Sequence, residues 1–343
     1  MSKHYLITGG AGFIGSNYVN RLLKRGEQVT IFDSLSRSGA PLNLAWLRST
    51  HGEHAFQVVV GDLKDDVFLC STAQDADVIV HLAAQVAVTT SVQDPRQDFE
   101  DNALGTFNVL EAARLSGRQP IVLYASTNKV YGGMDDVRIE EHDTRYGYVD
   151  YPEGISETQP LDFHSPYGCS KGAGDQYVRD YHRIYDLPTV VFRQSTIYGP
   201  RQFGIEDQGY LAWFIIAAVM GYPITIYGDG KQVRDMLFVD DLLNLYDSAV
   251  ENIATASGKV YNVGGSIEHT ISIWKELGPI LEELLGREIP VSWVEEWRPG
   301  DQRIFVSNIN KARRELGWRP KVDVEAGIKL LFDWVNRNKK LFS

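Results

Sequence analysis

Three evenly spaced glycines, Gly9-x-x-Gly12-x-x-Gly15, constrain this chain more than any other feature. They follow a short apolar run, Tyr5-Leu6-Ile7, and open a segment from Phe13 to Lys24 in which Ile14, Val19, Leu22 and Leu23 recur near one helical face. A buried strand, a tight glycine turn and a helix fit that order. Glycine permits the turn and lets backbone approach a ligand closely, while the first helical turn, at Phe13, Ile14 and Gly15, presents its amides to an anion such as a pyrophosphate. Asp33 ends the next strand-like run, 24 positions after Gly9, with Ser34 behind it. A carboxylate there accepts hydrogen bonds from a ribose and repels a 2′-phosphate, which predicts NAD over NADP. The plainer alternative is an aspartate that only caps its turn, and the nearby Arg37 keeps NADP open.

The rhythm continues. Val58-Val59-Val60, Val78-Ile79-Val80 and Ile121-Val122-Leu123-Tyr124 are further β-branched runs, separated by helical stretches such as Ala103 to Arg114. Strands alternating with helices imply right-handed crossovers and a parallel sheet, so the fold class is α/β, a Rossmann-type doubly wound sheet with a smaller C-terminal domain. The boundaries read from the pattern are 1–190 for the NAD domain and 191–343 mainly for a substrate domain, with parts of 228–265 returning to the first. After the third strand, Asp62 and Leu63 are placed to bracket an adenine, or to form a plain turn. After the fourth, Ala83 and Ala84 either admit a dinucleotide or fill core. Met134 to Ser165 is polar, acidic and rich in Tyr, Pro and Gly, and reads as an ordered substrate lid. Tyr210 to Met220 and Thr270 to Leu285 read as helices.

Composition removes several classes of function. Across 343 residues, 34 Lys and Arg stand against 45 Asp and Glu, a net charge of −11, which argues against a nucleic-acid partner. Two cysteines, Cys70 and Cys169, give neither a disulfide framework nor metal-type spacing, so no metal is expected. The amino terminus shows no long apolar run of a signal peptide, and Leu211 to Met220 is too short to cross a bilayer. The expectation is a reduced, cytoplasmic protein without a membrane partner.

The chemistry is concentrated in Ser165-Pro166-Tyr167-Gly168-Cys169-Ser170-Lys171. Ser165 reads as a helix cap and Pro166 as the first helical residue, so Tyr167 and Lys171 fall on one face of a helix. An ammonium beside a phenol lowers its pKa and makes tyrosinate accessible near neutrality. Such a base can take a sugar hydroxyl proton while hydride leaves the same carbon for nicotinamide. Chance adjacency of an aromatic and a lysine is the alternative.

Taken with the glycine turn, Asp62-Leu63, His81-Leu82-Ala83-Ala84, Asn102-x-x-Gly105-Thr106, Ser126-Thr127-x-x-Val130-Tyr131-Gly132, Tyr198-Gly199-Pro200-Arg201-Gln202, Arg234-Asp235-x-x-Phe238-Val239-x-Asp241 and Tyr261-Asn262-Val263-Gly264, the chain resembles the extended short-chain dehydrogenase/reductases over nearly its whole length. It is similar to their nucleotide-sugar epimerase and dehydratase branch. That resemblance implies bound NAD, with Asn102 among the residues lining it, and a catalytic set of Tyr167, Lys171 and Thr127, with Ser126 the rival hydroxyl. It implies a nucleoside diphosphate sugar as substrate, contacted by Thr127, Asn128, Thr196, Arg201, Arg234 and Arg298, and a homo-oligomer. Arginine suits a diphosphate because its planar fork donates twice. Dehydratases of the branch carry an Asp-Glu pair where this chain has Asn128-Lys129, which disfavours dehydration. The stretches Phe32 to Ala40, Asn43-Leu44-x-Trp46-Leu47 and Gln194 to Gly199 resemble a CDP-sugar 2-epimerase more than UDP-sugar 4-epimerases. The alternatives are a UDP-sugar 4-epimerase and a catalytically silent dinucleotide sensor.

Overall fold

The β-branched runs of the first half form one seven-stranded sheet, built from β1 (His4–Thr8), β2 (Gln28–Asp33), β3 (Gln57–Val60), β4 (Val78–His81), β5 (Ile121–Thr127), β6 (Thr189–Gln194) and β7 (Lys259–Val263). Their order across the sheet is β7-β6-β5-β4-β1-β2-β3. A computed structural model describes residues 2–298 and 300–343, so Met1 and Pro299 lie outside the described residues. Pairing is parallel, with Leu6 level with Thr30 on one side and Ile79 on the other. Successive strands are added outward on one side of β1 up to β3 and on the other side from β4 onward, and the crevice at the carboxyl ends of β1 and β4 is where such sheets take ligands. Every residue of β4 is buried, which explains why it reads as a continuous apolar run rather than an alternating one.

The helices that bear on the site are α1 (Phe13–Lys24), α2 (Gly39–His51), α3 (Asp66–Ala73), α4 (Val88–Gln93), α5 (Pro95–Phe99), α6 (Gly105–Leu115) and α7 (Ser165–Tyr185). Leu6, Phe32, Ile79, Val122, Tyr124, Leu110, Val178 and Val191 join sheet and helices in one buried cluster. α7 lies hard against β5: a Cβ on Gly174 would come within 2.4 Å of the Tyr124 hydroxyl.

The chain divides into two units, each assembled from three segments. The first comprises 1–127, 166–193 and 243–261; the second comprises 128–165, 194–242 and 262–343. Residues 128–165, numbered within the first domain on the sequence pattern, group with the second unit. The reason is their apolar content: Val130, Tyr131, Met134, Val137 and Ile155 bury themselves around Phe305. The stretch expected to be a lid is ordered and anchored in that core by Met134, Val137 and Ile155. It contains a hairpin of Ile139–Glu141 and Tyr146–Tyr148, and the Tyr148 hydroxyl donates to the Ile304 carbonyl at 3.2 Å.

In the second unit Val233–Phe238 is buried along its whole length. It pairs with Thr196–Tyr198 and Ile304–Phe305 in parallel and with Thr270–Ser272 antiparallel. A second pair joins Ile224–Tyr227 to Val291–Val294. The helix expected from Thr270 thus begins only at Leu277, because β-branched Thr270 and Ile271 complete a sheet instead. Among the described residues, no helix is long and apolar enough to cross a membrane.

Candidate active site

The glycine turn lies between β1 and α1. Gly9 has φ +69°, and a Cβ there would meet the Ala83 amide nitrogen at 2.7 Å; one on Gly15 would meet the Gly9 carbonyl at 2.3 Å. Those two glycines are needed for the turn to close on β4 and α1. Gly12 differs, since its Cβ would approach only the Gly9 carbonyl, at 3.1 Å. Gly12 also caps α1 without any side-chain hydrogen bond, so the amides of Phe13, Ile14 and Gly15 depend on a ligand or solvent for acceptors. Asp33 accepts from the Ala11 amide at 2.9 Å and the Leu35 amide at 2.8 Å. Burial raises its pKa, against the pull of those two amides. Its capping and ribose-binding readings are therefore compatible, because each oxygen retains a second lone pair. The Thr8 hydroxyl braces the far side of the turn, accepting from the Ala83 amide at 3.3 Å and meeting His81 Nδ1 at 2.8 Å. An anion-directed helix start, open backbone at Gly12 and a carboxylate at the end of β2 together fit a dinucleotide such as NAD.

The other residues named for this cleft differ among themselves. Ser34 is exposed, its hydroxyl 2.9 Å from that of Ser36. Asp62 is exposed and caps its own turn through the Lys64 amide at 2.9 Å, and Leu63 is buried, its carbonyl accepting from Asn108 at 2.8 Å. Ala83 and Ala84 are half-buried. Asn102 is buried beside Gln85 and Ser170. Its carboxamide is spent inside the protein, accepting from the Gln85 amide at 2.9 Å and donating to the Gln85 carbonyl, Asp98 and Ser170 at 3.0–3.1 Å.

Tyr167, Lys171 and Thr127 are all buried and come together in the first unit. The Tyr167 phenol hydrogen-bonds the Thr127 side chain, and the Tyr167 amide donates to Ser91 Oγ at 3.2 Å. Ser126, the rival hydroxyl, instead donates to Asp175 at 2.9 Å. The Lys171 ammonium lies 4.3 Å over the ring of Tyr124. The expected lowering of the phenol pKa does not occur in this arrangement. Burial pushes Tyr167 up to about 12, with Thr127 and Arg37 pulling the other way. Burial also brings Lys171 down to about 7, with Asp175 and Asp98 opposing. The two groups therefore titrate as a pair, the first proton leaving at the lower of these values and the second at the higher.

The sequence reading missed the supports of this centre. Asp175 lies on α7 two further turns along from Tyr167, and accepts both arms of Arg193 at 2.8 and 3.0 Å. The stripe Tyr167-x-x-x-Lys171-x-x-x-Asp175 was visible at helical spacing. Asp98, Gln85 and Ser170 carried no such signal, because their elements meet only in the fold.

Within the second unit Arg234 donates to Asp301 at 2.5 Å and to the Val233 carbonyl at 2.8 Å. Lys129 donates to the Gly300 carbonyl at 2.8 Å. Burial first, and Arg234 second, lower it to about 8, against Asp301. Asn128 donates to Gln302 at 3.2 Å, and Thr196 hydrogen-bonds Tyr210, whose phenol senses the Arg234 charge. Arg234, Asn128 and Thr196 therefore surround one polar cluster. Arg201 and Arg298 have other surroundings. The Arg201 guanidinium lies 5.6 Å from the Trp334 ring centre. Arg298 is 4.2 Å from that of Tyr227, donates to the Glu206 carbonyl at 2.8 Å and pairs with the Glu206 and Asp207 carboxylates at 3.5 Å. Pro299, beside it, lies outside the described residues.

Comparison with known proteins agrees with this geometry. The family model of GDP-mannose 4,6 dehydratase matches residues 6–331. The chain is 45% identical over 338 residues to the CDP-paratose 2-epimerase of Salmonella typhi, covering 96% of this chain and 98% of the relative. It is 33% identical over 354 residues to the dTDP-glucose 4,6-dehydratase of Xanthomonas campestris pv. campestris (strain B100), covering 98% and 93%. Among solved structures, the UDP-glucuronic acid 4-epimerase of Bacillus cereus, in complex with UDP-glucuronic acid and NAD, superposes with a TM-score of 0.82 at 28% identity over 97% of this chain and 99% of that one. A strand-to-helix glycine turn, a Tyr-Lys pair steadied by a threonine, and a match along almost the entire length lead to one conclusion: the chain belongs to the GDP-mannose 4,6 dehydratase family.

Proposed function

We propose that the protein is an NAD-dependent epimerase of a nucleoside diphosphate sugar, converting CDP-paratose to CDP-tyvelose by inversion at C2. One observation carries the reading: the Thr127–Tyr167 hydrogen bond stands beside Lys171 in a chain 45% identical to CDP-paratose 2-epimerase. The Asn128-Lys129 pair supports epimerisation over dehydration, since neither side chain can do the work of a carboxylate pair. NAD, when bound, would supply the hydride acceptor for oxidation at C2 and the donor for its re-reduction. The amides of Phe13, Ile14 and Gly15 would hold its pyrophosphate, and Asp33 its ribose hydroxyls.

Tyr167 and Lys171 titrate as a pair. Between about 7 and about 12 they share one proton, and when that proton rests on Lys171 the Tyr167 oxygen is a phenolate. That oxygen takes the O2 proton of the sugar, and Thr127 steadies the same oxygen through its hydroxyl. A 3-deoxy sugar makes C2 oxidation the direct route, because a ketone at C4 would acidify C3 and C5 and leave C2 untouched. The 2-keto sugar then turns, and Tyr167 returns the proton as the opposite face is reduced. Arg234 grips the diphosphate, with Asn128 and Thr196 as neighbouring contacts and Arg201 and Arg298 as outer ones. Unbridged Cys70 and Cys169 suit a reducing cytoplasm, and exposed Phe107, Tyr177 and Ile184 on α6 and α7 suit a homo-oligomer. Incubation with CDP- and UDP-sugars separately, with product stereochemistry read by NMR, tests the proposal. Inversion at C2 of the CDP-sugar is expected; inversion at C4 of a UDP-sugar, or no turnover of either, would refute it.

A further inference from the structure

We infer that Asp98, outside the Tyr167–Lys171–Thr127 set, is a positioning residue that serves as the buried counter-ion of Lys171 and sets where its proton resides. The inference rests on the catalytic reading above. Asp98 is 1% exposed, at the end of the cleft-side helix α5. One carboxylate oxygen accepts the Gln85 amide group at 2.9 Å and that of Asn102 at 3.0 Å. The other accepts the Ser170 hydroxyl at 2.5 Å, from the residue next to Lys171. Asn102 reaches back to Asp98 from a π-helical turn at Glu100–Leu104, a local widening of the helix that is common at functional sites.

All three of these donors are neutral. They hold the carboxylate without cancelling its charge. Asp175, the other carboxylate acting on Lys171 and the stronger of the two, differs in that Arg193 binds both its oxygens, so Asp98 is the one of the pair held by neutral donors alone. The remaining groups facing Lys171 add no further negative charge. His81 of β4 is held neutral by burial, with its pKa down to about 3, Tyr124 of β5 presents its ring face, and Tyr167 carries its proton in the form from which the pair loses its first. Asp101 lies beyond Asp98 and acts on it electrostatically. A carboxylate bonded to the residue next to Lys171 matters because the amine titrates near neutrality, where a modest change of field decides its charge.

The test uses the NAD-loaded protein and the pH dependence of kcat/KM. In the mechanism above, the rate rises as the pair loses its first proton, from Lys171. Asp98→Asn keeps the shape and removes the charge, so that rising limb should move to lower pH by about one unit, the smaller end of what a nearby opposite charge produces. Asp98→Glu, which keeps the charge, should hold the limb close to that of the parent. A loss of kcat that is uniform across pH, with the limb unmoved in Asp98→Asn, would mean that Asp98 only supports the fold and would overturn the inference. Should Asp98→Asn not fold, carbon-13 NMR of the parent protein decides the matter. The Asp98 carboxyl resonance should follow the Lys171 titration, and independent titrations would overturn the inference. The NMR arm does not depend on substrate, so a wild-type protein without C2 epimerase activity would refute the functional reading separately.

Discussion

At the scale of single residues, the centre is built from groups whose burial works against their charge. Tyr167, Lys171 and Asp98 are all withdrawn from water, and burial shifts each toward its neutral form. That is a costly arrangement for stability and a useful one for proton transfer, since small changes of field then move protons. Tyr167→Phe removes only the proton-carrying oxygen. It should lower turnover by about 10²–10⁴-fold, the usual range for loss of a general base, and leave NAD affinity nearly unchanged. Turnover close to the parent value would eliminate Tyr167 as the base. The residue types of this centre are legible in the amino-acid sequence, because Tyr-x-x-x-Lys on a capped helix is a local pattern. Its electrostatics are not. They depend on burial, on Asp98, which is brought near Lys171 by the meeting of α5 and α7, and on Arg193 of β6, which binds Asp175.

At the scale of elements, the turn between β1 and α1 shows how tightly backbone geometry is tied to binding. Gly15 has no room for a side chain, since a Cβ there would come within 2.3 Å of the Gly9 carbonyl. Gly15→Ala should push α1 off the turn, with a loss of stability on the order of 1–3 kcal/mol. It should also weaken NAD binding by about tenfold or more, equivalent to at least ~1.4 kcal/mol. Thermal unfolding and a cofactor titration would read the two effects. A variant that loses neither would show that the turn tolerates displacement and does not orient the helix amides. The strands and helices of the first unit follow their sequence periodicity closely, because a parallel sheet buried on both faces leaves an unmistakable apolar run. The segment 134–165 did not announce itself. Its polar composition resembles a loop, yet Met134, Val137 and Ile155 are spaced to fill the second unit's core around Phe305, a partner far away in sequence.

At the scale of the whole molecule, one buried histidine ties stability to pH. His81 is fully enclosed, its ring nitrogens facing the hydroxyls of Thr8 at 2.8 Å and Thr106 at 3.0 Å, and its pKa is lowered to about 3. The unfolded chain binds this proton near the usual value of 6.5, the folded chain only near 3. Between those values the unfolded state holds more protons, so stability falls as the pH is lowered across that window. His81→Asn, an uncharged polar replacement, should flatten the part of the acid-stability curve between pH 6.5 and 3, as measured by denaturant unfolding at successive pH values. An unchanged slope would place the acid sensitivity elsewhere. The division into two interleaved units was only partly legible, because chain connectivity there does not follow the order in which segments join a core.

The central claim, that hydride leaves C2 and returns to it within a single protein molecule, has a direct isotopic test. CDP-paratose carrying deuterium at C2 is converted in ordinary water, and the product is examined by NMR and mass spectrometry. Inversion at C2 with the deuterium retained there is the expected result, since Tyr167 exchanges only the oxygen-bound proton. Inversion with the label washed out to solvent would mean that a carbon-bound proton is removed by a base, and would contradict the account.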